Sequence, residues 1–281
     1  MHILILGAKG QLGTALHRAL GEQHTLSEYD LPELDITDRA AVNALITPGR
    51  FAVVINTAAY TDVEGCARQP TLAYQVNGLG AQNVALACDS AEIPLVHIST
   101  NELFPGDKPA GYDEWDTPCP INPYGLSKAA GEFHVRHLAR RHYIVRTAWL
   151  FAPGGRNFIH AILQRARSAG QVRVVTNEVS NPTYVDDLAA ALGRLIQTEQ
   201  YGTYHLTNAG SCSRWDFAQE ILRQAGLSHI PNAPILSQEF TRLSSPPPYC
   251  ALRNNAAAAL GITLRPWQAA LADYLAGQAE T

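Results

Sequence analysis

The run Tyr124-Gly125-Leu126-Ser127-Lys128 sets a phenol and an ammonium four residues apart, a spacing that puts both on one face of a helix. A cation close to a phenol stabilises the phenolate and lowers its pKa, so such a pair can exchange a proton with a substrate oxygen near neutral pH. Lysine occurs in this chain only at Lys9, Lys108 and Lys128, which makes an accidental match to the spacing uncommon. One strand–helix unit earlier, Ser99 and Thr100 close an apolar run. Their hydroxyls fall at the carboxyl end of a buried strand, where open α/β sheets bind ligands. Either could cap a turn, but a hydroxyl beside a reacting carbonyl is what this chemistry needs. A third element, Gly7-Ala8-Lys9-Gly10-Gln11-Leu12-Gly13, spaces its glycines by three and three. Directly after a strand and at the start of a helix, such glycines let backbone N–H groups and the helix dipole face a pyrophosphate.

These groups need a scaffold, and the chain supplies the rhythm of one. Short β-rich runs alternate with helical patterns, which predicts an α/β fold: a Rossmann-type doubly wound parallel sheet with a smaller C-terminal substrate-binding region. Strands are expected at His2–Leu6, Thr25–Tyr29, Ala52–Asn56, Pro94–Ser99 and Tyr143–Arg146, and helices at Gln11–Leu20, Thr71–Cys88 and Pro123–Arg140. After Trp149 the pattern is broken by Gly154-Gly155, Asn181-Pro182 and Pro246-Pro247-Pro248. Helices are still expected near Asn157–Ser168, Tyr184–Gln197, Arg214–Gln224 and Pro266–Ala276, with strands at Val172–Val175 and Thr203–Leu206. The predicted division is an NAD(P)-binding domain over residues 1–150, to which later segments return, and a mainly substrate-binding region over 151–281.

Composition narrows the function. With 281 residues, 46% hydrophobic and 16% charged, the chain has ample core and no room for a long disordered tail. A net charge of -4 without long like-charge runs gives no reason to expect nucleic acid or a membrane surface as partner. The apolar run Ile3 to Leu6 is too short for a signal peptide, and no stretch reaches the length of a membrane span, so a cytoplasmic location is the default expectation. The scattered Cys66, Cys88, Cys119, Cys212 and Cys250 read as reduced thiols. His134 and His137 share a helix face with Arg140 and Arg141, and no carboxylate or cysteine completes a metal site there, so no metal is expected. Asp30, ending the second strand, suits the adenosine ribose hydroxyls, although an exposed turn aspartate would look the same. Lys9 could pair with a 2′-phosphate, which leaves NADH and NADPH both open.

In this order the three elements resemble the extended branch of the short-chain dehydrogenase/reductase superfamily that acts on nucleotide sugars. A finer resemblance, to the dTDP-4-dehydrorhamnose reductase family, runs nearly to the C-terminus. It is carried by Leu34-Asp35-Ile36-Thr37-Asp38, Asn56-Thr57-Ala58-Ala59-Tyr60-Thr61, Val76-Asn77, Arg146-Thr147-Ala148-Trp149-Leu150-Phe151, Arg156-Asn157-Phe158, Asn181-Pro182-Thr183 and Gly202-Thr203-Tyr204-His205-Leu206-Thr207-Asn208. The resemblance implies that Tyr124 is the proton donor, that Lys128 anchors the nicotinamide ribose and tunes the tyrosine, and that Thr100 positions the substrate carbonyl. It also implies that Asp35 and Ile36 lie beside the adenine, with Ala58, Ala59 and Tyr60 along the cofactor, and that the substrate rests against Trp149 with Asn157 nearby. The partner it implies is a nucleotide sugar, and the chain is expected as a monomer or homodimer.

Two departures stand out. Thr100-Asn101-Glu102-Leu103-Phe104 replaces the usual Thr-Asp-Tyr-Val-Phe, so Asn101 and Glu102 are expected to reshape the substrate pocket. The variant is similar to the Thr-Asp-Glu motif of nucleotide-sugar 4,6-dehydratases, but an amide at Asn101 cannot act as a general acid. Near the C-terminus Pro246-Pro247-Pro248-Tyr249-Cys250 lacks the arginine that family members carry before Pro-x-Tyr-Ser, which shifts an expected diphosphate contact to Arg242 or Arg253. Reduction is the expected reaction. The rival readings are epimerisation or dehydration with tightly bound NAD, and a non-catalytic cofactor-binding regulatory subunit.

Overall fold

The computed structural model describes residues 1–154 and 157–279. Gly155 of the predicted break and Arg156 of the run before Phe158 lie outside the described residues, as do Glu280 and Thr281. Strands β1 (His2–Leu6), β2 (Thr25–Tyr29), β3 (Val53–Asn56), β4 (Leu95–Thr100) and β5 (His142–Thr147) join a sixth strand, Gly202–His205, in one sheet. All its pairings are parallel, and the order is sixth strand, β5, β4, β3, β1, β2.

Ile3 and Ile5 pack on one face of the sheet and Leu4 and Leu6 on the other. A strand covered on both sides has no polar face to show, which is why β1 reads as an unbroken apolar run. Helices Gln11–Leu20 and Val185–Leu195 cover the first face, and Arg39–Leu45 and Ala81–Ser90 the second. On the first face the apolar cluster continues through Phe151, Ile159, Val174, Phe217 and Trp267, so residues well beyond Trp149 share the core of the sheet.

The chain leaves β1 for β2 on one side and returns to β3 on the other. The connections after β1 and β3 therefore part, opening a crevice at the carboxyl ends of the strands. The turn after β1 enters it. Gly7 sits there at φ +79°, and a Cβ on it would lie 2.6 Å from the Ala58 nitrogen. A Cβ on Gly13 would lie 2.4 Å from the Gly7 carbonyl oxygen, so only glycine lets the first helix close onto the turn.

Helix Pro123–Leu138 carries Tyr124 and Lys128. Asn122 caps it by accepting from the Gly125 N–H at 2.8 Å, and Pro123 fills the first position, where the missing N–H costs nothing. The single helix predicted over Thr71–Cys88 is instead Pro70–Ala73, a π-helical stretch Tyr74–Gly80, and then Ala81–Ser90. Asn77, in the π stretch, is buried and fully used. Its Oδ1 accepts from the Tyr60 N–H at 2.8 Å, and its Nδ2 donates to the Tyr60 carbonyl at 3.0 Å and to Ser127 Oγ at 2.9 Å. Hydrogen bonds that periodicity cannot register thus tie the crevice wall to the Tyr124 helix. Helices Arg39–Leu45 and Val63–Arg68, capped by Asp38 and Asp62, are unexpected additions, too short to show a clear period in sequence. The strand expected at Val172–Val175 is present and pairs with the unexpected Asn232–Ile235, and two further pairs are also unexpected: Leu150–Phe151 with Thr183–Tyr184, and Val179–Ser180 with Cys212–Ser213.

Candidate active site

Three cavities follow one another along the carboxyl edge of the sheet. The first, about 440 Å³, is lined by Gly7, Gly10, Asp30, Asp35, Ile36, Ala58, Ala59 and Tyr60. It shares Gly10, Thr57 and Ala59 with a second cavity of about 570 Å³, whose walls include Gln11, Leu12, Ser99, Thr100, Asn101, Glu102, Tyr124, Lys128 and Trp149. The second shares Val63, Glu102 and Arg214 with a third of about 590 Å³. The fold thus gathers residues from the ends of β1 to β5 and from helices and loops elsewhere in the chain into one groove.

In the first cavity, both Asp30 oxygens already accept backbone N–H groups, Oδ2 from Lys9 and Oδ1 from Leu31, each at 2.8 Å. The aspartate so braces the glycine turn. Lys9 Nζ is bound to Glu33 at 2.8 Å. Asp35 Oδ1 accepts from the Thr37 N–H and hydroxyl at 2.8 Å, which orders the turn beside Ile36. Gly13 lines neither cavity, and its missing Cβ lets the helix pack against Gly7 and Ala8.

In the second cavity, Lys128 is buried and donates to the Ile98 carbonyl at 2.6 Å. Burial pulls its ammonium down to about 8, against a smaller opposing pull from Glu132. Tyr124 moves the other way. Burial and then the Glu102 carboxylate push its phenol up, while the Thr100 hydroxyl, within hydrogen-bonding reach, opposes the rise. The sequence predicts a phenol lowered by its neighbouring cation; here the lysine is turned to Ile98, and desolvation sets the tyrosine instead. Ser99 Oγ and Thr147 Oγ1 also line this cavity and are buried with no hydrogen-bond partner among the described residues. Unpaired buried hydroxyls beside a glycine turn suit a ligand rich in donors and acceptors, and a nicotinamide with its ribose has that character. The residues fit a dinucleotide laid along the first two cavities.

Glu102 hangs between the second and third cavities. Burial raises its carboxyl, against hydrogen bonding from Asn122 Nδ2 at 2.7 Å and the charges of Arg214 and Arg242. Asn101 reaches the wall, but its amide is committed to the protein, donating to Ser180 Oγ at 3.0 Å and to the Cys250 carbonyl at 3.1 Å. Trp149 stands at φ +42°, a conformation rare for a bulky residue and one that clusters at functional sites.

Comparison with known proteins agrees with this geometry. The family model described as RmlD substrate binding domain matches residues 1–279. The dTDP-4-dehydrorhamnose reductase of Mycobacterium tuberculosis (strain ATCC 25618 / H37Rv) is 37% identical over 287 residues, covering 99% of this chain and 94% of that protein. Spore coat polysaccharide biosynthesis protein SpsK of Bacillus subtilis (strain 168) is 34% identical over 274 residues, covering 97% and 96%. The crystal structure of dTDP-4-dehydrorhamnose reductase (rfbD) from Bacillus anthracis str. Ames in complex with NADP matches with a TM-score of 0.94 at 37% identity, covering 98% of this chain and 99% of that one. The chain belongs to the dTDP-4-dehydrorhamnose reductase family.

Within a reductase of this family, one predicted contact falls elsewhere. Asn157 does not line the second or third cavity. It caps helix Phe158–Ala169 through the His160 N–H at 3.0 Å, and its Nδ2 donates to the Ala152 carbonyl and the Tyr274 hydroxyl, so its groups are spent on folding. Of the two arginines that are alternatives for the diphosphate contact, Arg242 lines the third cavity, whereas Arg253 is clamped by Asp113 away from it. Arg214, expected only as the start of a helix, stands where the second and third cavities meet. Nothing in its spacing from the other motifs marks it.

Proposed function

We propose that this protein uses NADPH or NADH to reduce the keto group of a nucleotide-linked 4-keto-6-deoxy sugar, with dTDP-4-dehydro-L-rhamnose as substrate and dTDP-L-rhamnose as product. The observation that carries this reading is one cavity that holds Tyr124, Lys128 and Thr100 and opens directly into the glycine-turn cavity.

The reduced nicotinamide, when bound, supplies the hydride for the keto carbon. Gly7, Gly10 and the N-terminus of helix Gln11–Leu20 hold the pyrophosphate, and Asp35, Ile36, Ala58, Ala59 and Tyr60 line the adenosine side. Tyr124 gives its phenolic proton to the keto oxygen as negative charge develops there. A phenol raised by burial keeps that proton until the oxygen becomes basic enough to take it, so the group waits in its acid form. Thr100 donates toward the same oxygen, and Lys128 stabilises the phenolate left behind while bonding the ribose. Trp149, Glu102 and the later segments of the 151–281 region shape the sugar side. The proposed setting is the cytoplasm. No helix among the described residues is long and apolar enough to cross a membrane.

The test is incubation of the purified protein with dTDP-4-dehydro-L-rhamnose and each reduced cofactor, with product analysis. One equivalent of reduced cofactor should be consumed for each dTDP-L-rhamnose formed. A sugar epimerised or dehydrated without net cofactor consumption would replace the reading, and no turnover beside a copurifying partner enzyme would favour a regulatory role.

A further inference from the structure

The third cavity is walled by six charged side chains, Glu64, Glu102, Glu178, Arg173, Arg214 and Arg242. Five of them have polar partners. Arg242 donates to Glu178 at 2.6 Å and Arg173 to Glu239 at 3.0 Å. Glu64 accepts from the Leu243 and Ser244 N–H groups at 3.3 Å, and Glu102 from Asn122. The guanidinium of Arg214 makes no hydrogen bond or ion pair among the described residues; its contacts are with ring faces. Its Cζ lies 3.6 Å from the centroid of Trp149 and 4.9 Å from that of Phe158. Glu178 and Glu102 reach it only through space, and burial pulls its pKa down to about 10.

A planar cation held by its faces keeps its edge, and the edge carries the N–H donors. That edge matches two oxygens of a phosphate in a bidentate fork. Leaving the donors of a half-buried guanidinium unpaired costs free energy, which an anionic ligand would recover. The cofactor's own pyrophosphate is not the candidate, because on the reductase reading the backbone N–H groups of the glycine turn hold it, and Arg214 does not line the adenosine-side cavity.

Resting on the reductase reading for the class of substrate, we propose that Arg214 binds the diphosphate of the nucleotide sugar. The keto sugar then points into the cavity of Tyr124, and the nucleoside lies in the cavity walled by Phe158, Val174 and Phe240. Arg214 stands at the passage between the two, so the diphosphate, which links sugar to nucleoside, has to pass it. The same contact orients the substrate, since reversing it would put the nucleoside against the phenol.

The test is calorimetric titration of the NADP-saturated protein with dTDP and with thymidine, for the wild type, Arg214→Gln and Arg214→Lys. The wild type should prefer dTDP by at least about tenfold, as expected for charge-assisted bonds to a diphosphate. Arg214→Gln should remove most of that preference by weakening dTDP at least about tenfold while thymidine stays within about twofold. Arg214→Lys should weaken dTDP by about threefold or more, because a point charge replaces a fork. NADP affinity reports folding for each variant. An unchanged affinity for dTDP in either variant that still binds NADP overturns the assignment. A wild type that binds NADP but not dTDP removes the nucleotide-sugar reading itself, and the inference with it.

Discussion

The two ends of the groove are built by different means. At the adenosine end the walls are turns at the carboxyl ends of β1, β2 and β3, and most of what faces the cavity is backbone or a small side chain: Gly7, Gly10, Ala58, Ala59. Where polar side chains occur there, as at Asp30 and Asp35, they brace their own turns. At the far end the walls are large and charged, and they come from separate segments: Glu102 after β4, Phe158, Glu178, Arg214 and Arg242. The first end offers a ligand backbone geometry that one contiguous motif can encode. The second offers side chains, any one of which can change without disturbing the sheet. One fold can therefore keep its cofactor chemistry while its substrate pocket varies.

This contrast can be broken at Tyr124, where the two ends meet. Tyr124→Phe removes the proposed proton donor and the rest of the cofactor cavity is left in place. Turnover should fall by roughly 10²-fold or more with cofactor affinity unchanged. Stopped-flow hydride transfer beside a cofactor titration separates the two quantities, and near-normal turnover would remove the assigned role.

Lys128 sharpens it, since it belongs to both functions. Lys128→Ala should weaken cofactor binding as well as turnover, and an unchanged cofactor Kd would place the ammonium out of reach of the ribose. Its pH dependence carries a sign. Folding holds this ammonium at about 8, below an ordinary lysine at about 10.4. Between those values the unfolded chain binds more protons than the folded one, so this residue makes the cofactor-free protein more stable as pH rises through that window. Cofactor affinity should move the opposite way, falling as pH rises through about 8 and the donor charge is lost. Parallel denaturant melts and cofactor titrations from neutral to alkaline pH would show whether the two trends diverge; a flat affinity profile would count against the ribose contact.

The smallest effect is expected at Glu102. If the protein is a reductase, this carboxyl shapes the sugar pocket and transfers no obligatory proton. Glu102→Gln preserves its size and hydrogen-bonding reach to Asn122, so KM should change by at most about tenfold with kcat largely retained. Abolished turnover in a variant that still binds cofactor would instead make Glu102 an acid–base residue and favour a dehydratase.

Local signals in the chain anticipate much of this architecture. The glycine turn, the apolar runs of β1 and β3, and the spacing of Tyr124 and Lys128 depend on residues within a few positions of one another, and short-range sterics and periodicity are written in sequence. The sheet strands and the helices from Gln11, Pro123 and Arg214 lie within a residue or two of where the pattern puts them. Asn157 shows the limit. Its type suits both a substrate contact and a helix cap, and only the folded chain shows its donors spent on Ala152 and Tyr274.

What the sequence by itself determined is the glycine turn, Tyr124 and Lys128 on one helix face and the α/β class, because each rests on local backbone geometry. Tertiary structure alone decided that Asn77 ties Tyr60 to Ser127, that Asn101 faces Ser180 and Cys250, and that Arg214 is stacked on Trp149 with its edge unpaired. The physical reason is that these contacts join residues from 17 to 149 positions apart. Whether a polar group is satisfied by protein or left for a ligand depends on what packing brings beside it.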